Sequence, residues 1–264
     1  MLALIPPPPG SALDLGPLTL RYYGLAVALG VLAAVLLTRS RYRALGGNPD
    51  DVDLVAVGAV VAGFLGARLG FVIWRLDQFA DRPLAALALW EGGLVLFGGL
   101  LVGLPVGYLL ARRRRLDIPA FADAVAPAIP LGQAIGRWGN YFNQELYGRL
   151  TDVPWALRVR AADGSETLHH PTFLYESVAN LLLVAVLLLL DRTGKIARGG
   201  LLFAYLAGYG LIRFSIELLR IDTDFRLLGL SRNNWAFLAL TIAGLVGLAW
   251  WQRRSAGRRT QRRR

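Results

Sequence analysis

The chain of 264 residues contains no cysteine. Disulfides, thiolate-bound zinc, iron–sulfur clusters and a cysteine nucleophile of its own are thereby excluded. Histidine is nearly as scarce, with only the adjacent pair His169 and His170. Two neighbouring histidines do not furnish the ligand set of a transition-metal site, so no metal is expected. No G-x-x-x-x-G-K-[ST] phosphate loop occurs, which removes the basis for nucleotide hydrolysis, and no cofactor is expected. Acidic residues number 18 against 29 basic ones, giving a formal net charge of +11. Lys195 is the single lysine; arginine supplies the remaining positive charge.

Apolar sequence fills the space these absences leave. Hydrophobic residues make up 55% of the chain, and the mean hydropathy is +0.46. They come in long blocks separated by charged clusters, which is too apolar for an ordinary soluble domain. A membrane span needs roughly 20 largely apolar residues. Seven blocks are read as spans: Leu20–Thr38, Val52–Trp74, Gly93–Ala111, Ala120–Gly136, Thr172–Leu190, Gly200–Leu218 and Trp235–Trp251. The expected fold is an all-α integral membrane protein, a bundle of seven transmembrane helices forming one polytopic domain over residues 1–264. Pro127 and Pro130 interrupt the fourth block. Such breaks are tolerated where neighbouring helices or a polar cavity satisfy the freed backbone groups. Met1–Gly16 lacks a basic n-region and carries Pro6–Pro9, so the first block reads as a retained span, not a cleavable signal.

Arginine and lysine then set the expected topology. Arg39/Arg41/Arg43, Arg112–Arg115, Arg192/Lys195/Arg198 and the tail Arg253–Arg264 fall on alternate loops. The positive-inside rule puts those loops in the cytoplasm and the N-terminus outside. Residues 252–264 become a basic cytoplasmic tail. Residues 147–170 become a small extracytoplasmic segment, with a turn at Asp163-Gly164. The tryptophans Trp74, Trp90, Trp138, Trp155, Trp235, Trp250 and Trp251 fall near span ends, where interfacial anchors belong. No base-stacking module accompanies the arginine-rich tail, so anionic membrane lipids and not nucleic acid are its expected partners. Gly66/Gly70 and Gly99/Gly103/Gly107 form small-residue stripes suited to close helix packing. Arg68 lies between the first two, and either snorkels outward or pairs with an acid inside the bundle.

Polar residues at membrane depth carry the functional argument. The run Gly136-Arg137-Trp138-Gly139-Asn140-Tyr141-Phe142-Asn143-Gln144-Glu145-Leu146-Tyr147-Gly148 closes the fourth block. Arg21-Tyr22-Tyr23-Gly24 opens the first, and His170-Pro171-Thr172-Phe173-Leu174-Tyr175-Glu176 enters the fifth. On the sixth, Tyr209, Arg213, Glu217 and Arg220 form one polar stripe. Such groups are costly in hydrocarbon unless they share a cavity, pair, or meet a polar ligand. An Arg213–Glu217 ion pair one turn apart would account for part of the stripe. Four polar sets at one depth favour a shared cavity near the outer surface. A guanidinium offers a planar fork for two phosphate oxygens and keeps its charge in low dielectric. Arg137 and Arg213 are therefore read as binding an anionic phospholipid headgroup, with Asn140 and Tyr23 as neutral donors. Glu176 and Asn180, one turn apart on the fifth block, are read as a structural hydrogen-bonding pair. His170, just before Pro171, either caps the helix or bonds a backbone carbonyl, or else serves the site.

The runs GRWGNYFNQELYG (Gly136–Gly148), HPTFLYE (His170–Glu176), YGLIRFSIELLR (Tyr209–Arg220), GARLG (Gly66–Gly70) and WEGGLVLFGGLLVG (Trp90–Gly103) resemble the phosphatidylglycerol–prolipoprotein diacylglyceryl transferases of bacteria. The resemblance extends from Tyr23 to the seventh block. It implies a seven-helix enzyme of the bacterial cytoplasmic (inner) membrane. Such an enzyme moves the diacylglyceryl group of phosphatidylglycerol onto the lipobox cysteine of a prolipoprotein signal peptide, releasing glycerol 1-phosphate in the first step of lipoprotein maturation. By that resemblance Arg137 binds the lipid phosphate, and Arg213 is the second essential arginine. Tyr23, Asn140, Glu145, Gly148 and Tyr209 match further critical positions. Glu145, His170 or a phosphate oxygen would accept the thiol proton. Many members carry a histidine before the double glycine of the third block; here that position is Phe97, which accepts no proton. A headgroup-binding transporter and a structural scaffold are the competing readings. No repeated half-sequence supports the first, and membrane-depth polar groups speak against the second.

Overall fold

Alternation of long apolar runs with short polar connections yields a mostly helical chain. The computed structural model describes residues 4–16, 18–79, 81–88, 93–161, 163–221 and 226–261. In chain order, β1 (Ala12–Leu15) and β2 (Leu18–Arg21) precede α1 (Tyr22–Ala44) and α2 (Pro49–Trp74). Two short 3-10 helices, Leu76–Phe79 and Pro83–Leu87, lead to α3 (Leu96–Arg113). Then come α4 (Ile118–Val125), α5 (Ala128–Gly136) and α6 (Trp138–Phe142), followed by β3 (Leu157–Arg160) and β4 (Glu166–His169). The chain closes with α7 (Thr172–Arg192), α8 (Leu201–Glu217), β5 (Arg226–Leu227), β6 (Leu230–Ser231) and α9 (Arg232–Gln261). Each strand pairs antiparallel with its sequence neighbour, so an all-α description omits three small hairpins.

Six stretches among the described residues are long and apolar enough to cross a membrane: α1, α2, α3, the broken run Ile118–Phe142, α7 and Arg232–Ala256 of α9. That is the helix content of a multi-pass membrane protein. The count expected from sequence was seven. The remaining candidate, α8, has 17 residues and so a length of ~26 Å, one residue shorter than α3. Of the expected anchors, Trp74 is exposed where α2 ends. Trp90, and tail residues 262–264, lie outside the described residues.

The chain divides into two compact units, Thr38–Phe121 and the pair of segments Met1–Leu37 and Ala122–Arg264. In the first, α2 starts on Pro49 with Asn48 as its cap, the Asn48 side chain accepting from Asp50 N at 3.1 Å. Asp50 and Asp51 face the positive end of the helix dipole. α2 packs against α3 along the glycine stripes. A Cβ at Gly66 would meet the Gly98 carbonyl at 2.5 Å and Val102 at 2.6 Å, so close approach of the two backbones requires glycine there. Arg68 turns inward. Its guanidinium donates to the carbonyls of Ala85 (2.5 Å), Ala86 (2.9 Å) and Gly93 (3.4 Å). It also lies 5.6 and 5.4 Å from the Phe71 and Phe79 rings. The snorkelling alternative does not hold, and the side chain ties the 3-10 segment to α2.

In the second unit, Leu183 and Leu187 of α7 meet Leu201 and Tyr205 of α8 around buried Ala126. Asp123 caps α8, accepting from Gly199 N at 2.6 Å and Leu201 N at 3.0 Å. Leu157 and Val159, alternate residues of β3, turn to one face and bury against Phe173. The β3–β4 turn falls at the expected place: Asp163 accepts from Ser165 N (2.9 Å) and Oγ (2.7 Å), and Gly164 takes φ 83°.

Candidate active site

The site grows from the second unit, where α7, α8 and the α5–α6 junction present polar faces. On α7, Thr172, Phe173, Glu176 and Asn180 share the buried face, one helical stripe. On α8, Arg213 and Glu217 are 7% and 2% exposed, with Tyr209 one turn earlier. Arg220 follows the helix end, and Arg137 joins α5 to α6.

These side chains converge on Glu176. Its Oε2 accepts a hydrogen bond from Arg213 Nη1 at 2.7 Å. Its Oε1 lies 2.6 Å from Arg137 Nη2, as an ion pair without hydrogen-bond alignment. Arg213 Nη2 also stands 3.6 Å from Glu217 Oε2, and Arg220 Nε is 3.7 Å from the same oxygen. Glu217 Oε1 accepts from Asn233 Nδ2 at 2.8 Å and Ser231 Oγ at 3.3 Å. The Arg213 guanidinium sits 4.9 Å from the Phe237 ring. On the other side, Arg137 Nη1 donates to Asn140 Oδ1 at 3.3 Å, and Asn140 Nδ2 to Glu145 Oε1 at 2.7 Å. Arg137 further engages the Tyr209 hydroxyl. Arg137, Arg213, Asn140, Glu145 and Tyr209 thus belong to one network, with Glu145 at its exposed edge.

The remaining anticipated residues stand beside that network. Tyr23 lays its ring on the Gly139 backbone, touching the signature helix. Gly148 donates its N–H to the His170 carbonyl at 3.0 Å. A Cβ there would meet His170 Cβ at 2.9 Å and the Leu219 carbonyl at 3.0 Å, so three chain segments meet at a point only glycine fits. His170 Nδ1 lies 3.1 Å from the Tyr175 hydroxyl, which also receives Trp155 Nε1 at 2.8 Å. The His170 ring therefore bonds a phenol. The backbone-carbonyl contact belongs to His169 instead, with Nδ1 2.7 Å from Gly148 O. Partial burial, and then the Arg149 charge, hold the His170 pKa below its usual 6.5, leaving the ring neutral at physiological pH. Gln144 and Leu146 take left-handed φ of 49° and 58°, backbone strain of the kind that gathers at functional sites. The resulting turn brings Glu145 N back to the Asn140 carbonyl at 3.1 Å.

Glu176 is the residue whose role the sequence reading mistook. Its expected partner Asn180 bonds only its backbone, Asn180 Nδ2 donating to Glu176 O at 2.9 Å, while the carboxylate serves two arginines. The available signal was an acid on a buried helix face with no basic residue one turn away in either direction. Arg137, Asn140, Thr172, Glu176, Arg213 and Arg220 line a cavity of about 10 Å³, room for about one water. A second, apolar groove of about 440 Å³ runs past Leu25, Leu29, Ile135, Trp138, Phe142 and Leu181, with Ser177 on its wall next to Glu176.

A sequence profile described as prolipoprotein diacylglyceryl transferase matches residues 10–250. The chain belongs to the prolipoprotein diacylglyceryl transferase family. The chain is 42% identical over 262 residues to phosphatidylglycerol–prolipoprotein diacylglyceryl transferase 1 of Streptomyces coelicolor, covering 97% of this chain and 76% of that one. The transferase of Frankia alni is 42% identical over 254 residues, 94% and 67% of the two chains. That of Corynebacterium glutamicum is 41% identical over 263 residues, 93% and 83%. The region matched by the transferase family contains every residue of the Arg137–Arg213 network. It also contains Phe97, which is 73% exposed in the first turn of α3.

Proposed function

We propose that this chain transfers the diacylglyceryl group of phosphatidylglycerol to the lipobox cysteine thiol of prolipoprotein signal peptides. The observation that carries the reading is the convergence of Arg137 and Arg213, 76 positions apart in the chain, on one buried anion position at 2.6 and 2.7 Å. In the reaction the substrate thiol sulfur forms a bond to the glycerol carbon that carries the phosphate. The carbon–oxygen bond there breaks, and its electron pair leaves with glycerol 1-phosphate. Negative charge grows on the phosphate oxygens, and two preorganised guanidiniums stabilise it where it develops. Asn140 and Tyr209, both bonded to Arg137, steady that fork. The thiol proton passes to Glu145, to neutral His170 or to a phosphate oxygen. Tyr23 and Gly148 shape the walls, and the apolar groove suits an acyl chain of the lipid. The nucleophile comes from the substrate, in keeping with a chain that has no cysteine.

The membrane arrangement belongs to the same proposal. α8 makes the seventh helix of one polytopic domain in the bacterial cytoplasmic membrane. The basic ends of α1, α3, α7 and α9 face the cytoplasm with the tail 252–264 and its anionic lipids, and residues 147–170 lie outside. Purified protein, phosphatidylglycerol and a lipobox peptide test the reaction through glycerol phosphate release and the mass gained by the peptide. Both products are expected, and both should vanish in Arg137→Ala. Lipid binding without either product would sink the reading.

A further inference from the structure

A carboxylate already stands where the phosphate is needed. Glu176 holds Arg213 through an aligned hydrogen bond at 2.7 Å and Arg137 through an unaligned contact at 2.6 Å. Its own side chain is 3% exposed, against 8% for Arg213 and 21% for Arg137. The surrounding cavity of about 10 Å³ takes a water, and a phosphate with its ester oxygens does not fit beside the carboxylate. Two bare guanidiniums this close would repel strongly at low dielectric, so the empty site needs an anion to stay assembled.

The charge balance of the buried cluster points the same way. Arg137, Arg213 and Arg220 face Glu176 and Glu217, which leaves the cluster one positive charge in excess. A phosphodiester, with one negative charge, cancels that excess. A phosphomonoester carries about −1.5 to −2 at pH 7 and overshoots it, so the product is held less well than its charge alone would suggest.

Resting on the reading that this site takes a lipid phosphate, we propose that Glu176 is an internal surrogate for that phosphate. It is a positioning residue that keeps Arg137 and Arg213 at anion-binding distance in the empty enzyme, and it releases Arg137 when the phosphodiester arrives. The Arg137 contact is the one exchanged because it lacks hydrogen-bond alignment and its arginine is the more exposed. Arg213 keeps its Nη1 bond to Glu176 and turns its remaining N–H groups to the phosphate. The carboxylate left in the site then repels the monoester product and hastens its departure.

The test uses the full chain in lipid nanodiscs, with glycerol 1-phosphate as the binding probe. Glu176→Gln removes the competing charge, so glycerol 1-phosphate binds about tenfold tighter or more, and turnover falls because product leaves slowly. Glu176→Asp keeps the charge and a product affinity within about threefold of the unsubstituted protein. Equal or weaker product binding by a folded Glu176→Gln protein overturns the proposal. The unsubstituted protein supplies an arm that survives misfolding of that variant. With carboxyl-13C glutamate, adding glycerol 1-phosphate shifts a carboxylate stretch in the infrared difference spectrum, and that band is missing in Glu176→Asp. No carboxylate shift also overturns the proposal. Transfer without this exchange rejects the surrogate alone, and exchange without transfer rejects the diacylglyceryl reaction alone.

Discussion

Phe97, which accepts no proton, and His170, which with Glu145 is a candidate acceptor, bear directly on the handling of the thiol proton. A positioned general base contributes roughly 10²–10⁴-fold in rate, and Phe97, 73% exposed on α3, supplies none of it. Phe97→His is expected to change the transfer rate by less than about threefold; a large gain would mean that a histidine role had been lost from the chain without replacement. His170 titrates below its usual 6.5 because burial and Arg149 disfavour the charged ring. The unfolded chain therefore binds the proton at higher pH than the folded one. The stability contributed by the neutral ring is full above about pH 6.5 and is lost as pH falls through the folded value. Melting temperatures recorded from about pH 7.5 down to 5.5 should fall less in His170→Gln than in the unsubstituted protein. Parallel curves would show that His170 carries no such linkage.

Single elements show which parts of this molecule are written locally. The α7 start behind Pro171 and the Asp163-Gly164 turn depend on a few neighbouring residues, and both were legible in the sequence, while Gly66 was legible as a packing position from its four-residue spacing to Gly70 although its partners lie on α3. The break between α4 and α5 follows from Pro127 in the same way. Helix ends were less so: α9 runs on to Gln261, since Arg253–Gln261 has no proline and its single glycine, Gly257, weakens the helix without ending it. The β1–β2 and β5–β6 hairpins are four and two residues per strand, too short for an alternation pattern to announce them. Glu176 escaped for a deeper reason, since its partners sit 39 positions before and 37 after it and only tertiary packing brings them together. The inward turn of Arg68 was likewise set by carbonyls 17, 18 and 25 positions away. Gly148 tests the element that carries the signature turn. Gly148→Ala places a methyl against His170 and the Leu219 carbonyl, an overpacking cost of about 1–3 kcal/mol. A lowered melting temperature together with weakened transfer is the expected result. Unchanged values of both would mean that the junction yields freely.

For the molecule as a whole, the lack of cysteine makes topology directly measurable. Ser165→Cys puts a lone thiol on the exposed β3–β4 turn, and Ala256→Cys puts one at the exposed far end of the apolar stretch of α9. With the hairpin outside and the tail in the cytoplasm, a membrane-impermeant maleimide labels the first in intact spheroplasts and the second only after permeabilisation. The reverse pattern would invert the proposed orientation.

The length of α8 matters to the lipid as much as to the protein. At 17 residues it spans ~26 Å, while the hydrocarbon layer is ~30 Å thick. A bilayer meets so short a segment by thinning around it. Asp123 holds the helix at its start, and Arg213 and Glu217 stand towards its other end. With α8 as the proposed seventh span and its Arg213 end outward, thinning would lower the outer phosphate plane there and let the headgroup sink to the arginines without the lipid leaving its leaflet. Transfer should then slow in nanodiscs built from longer-chain lipids, and a rate indifferent to bilayer thickness would remove this dimple from the mechanism.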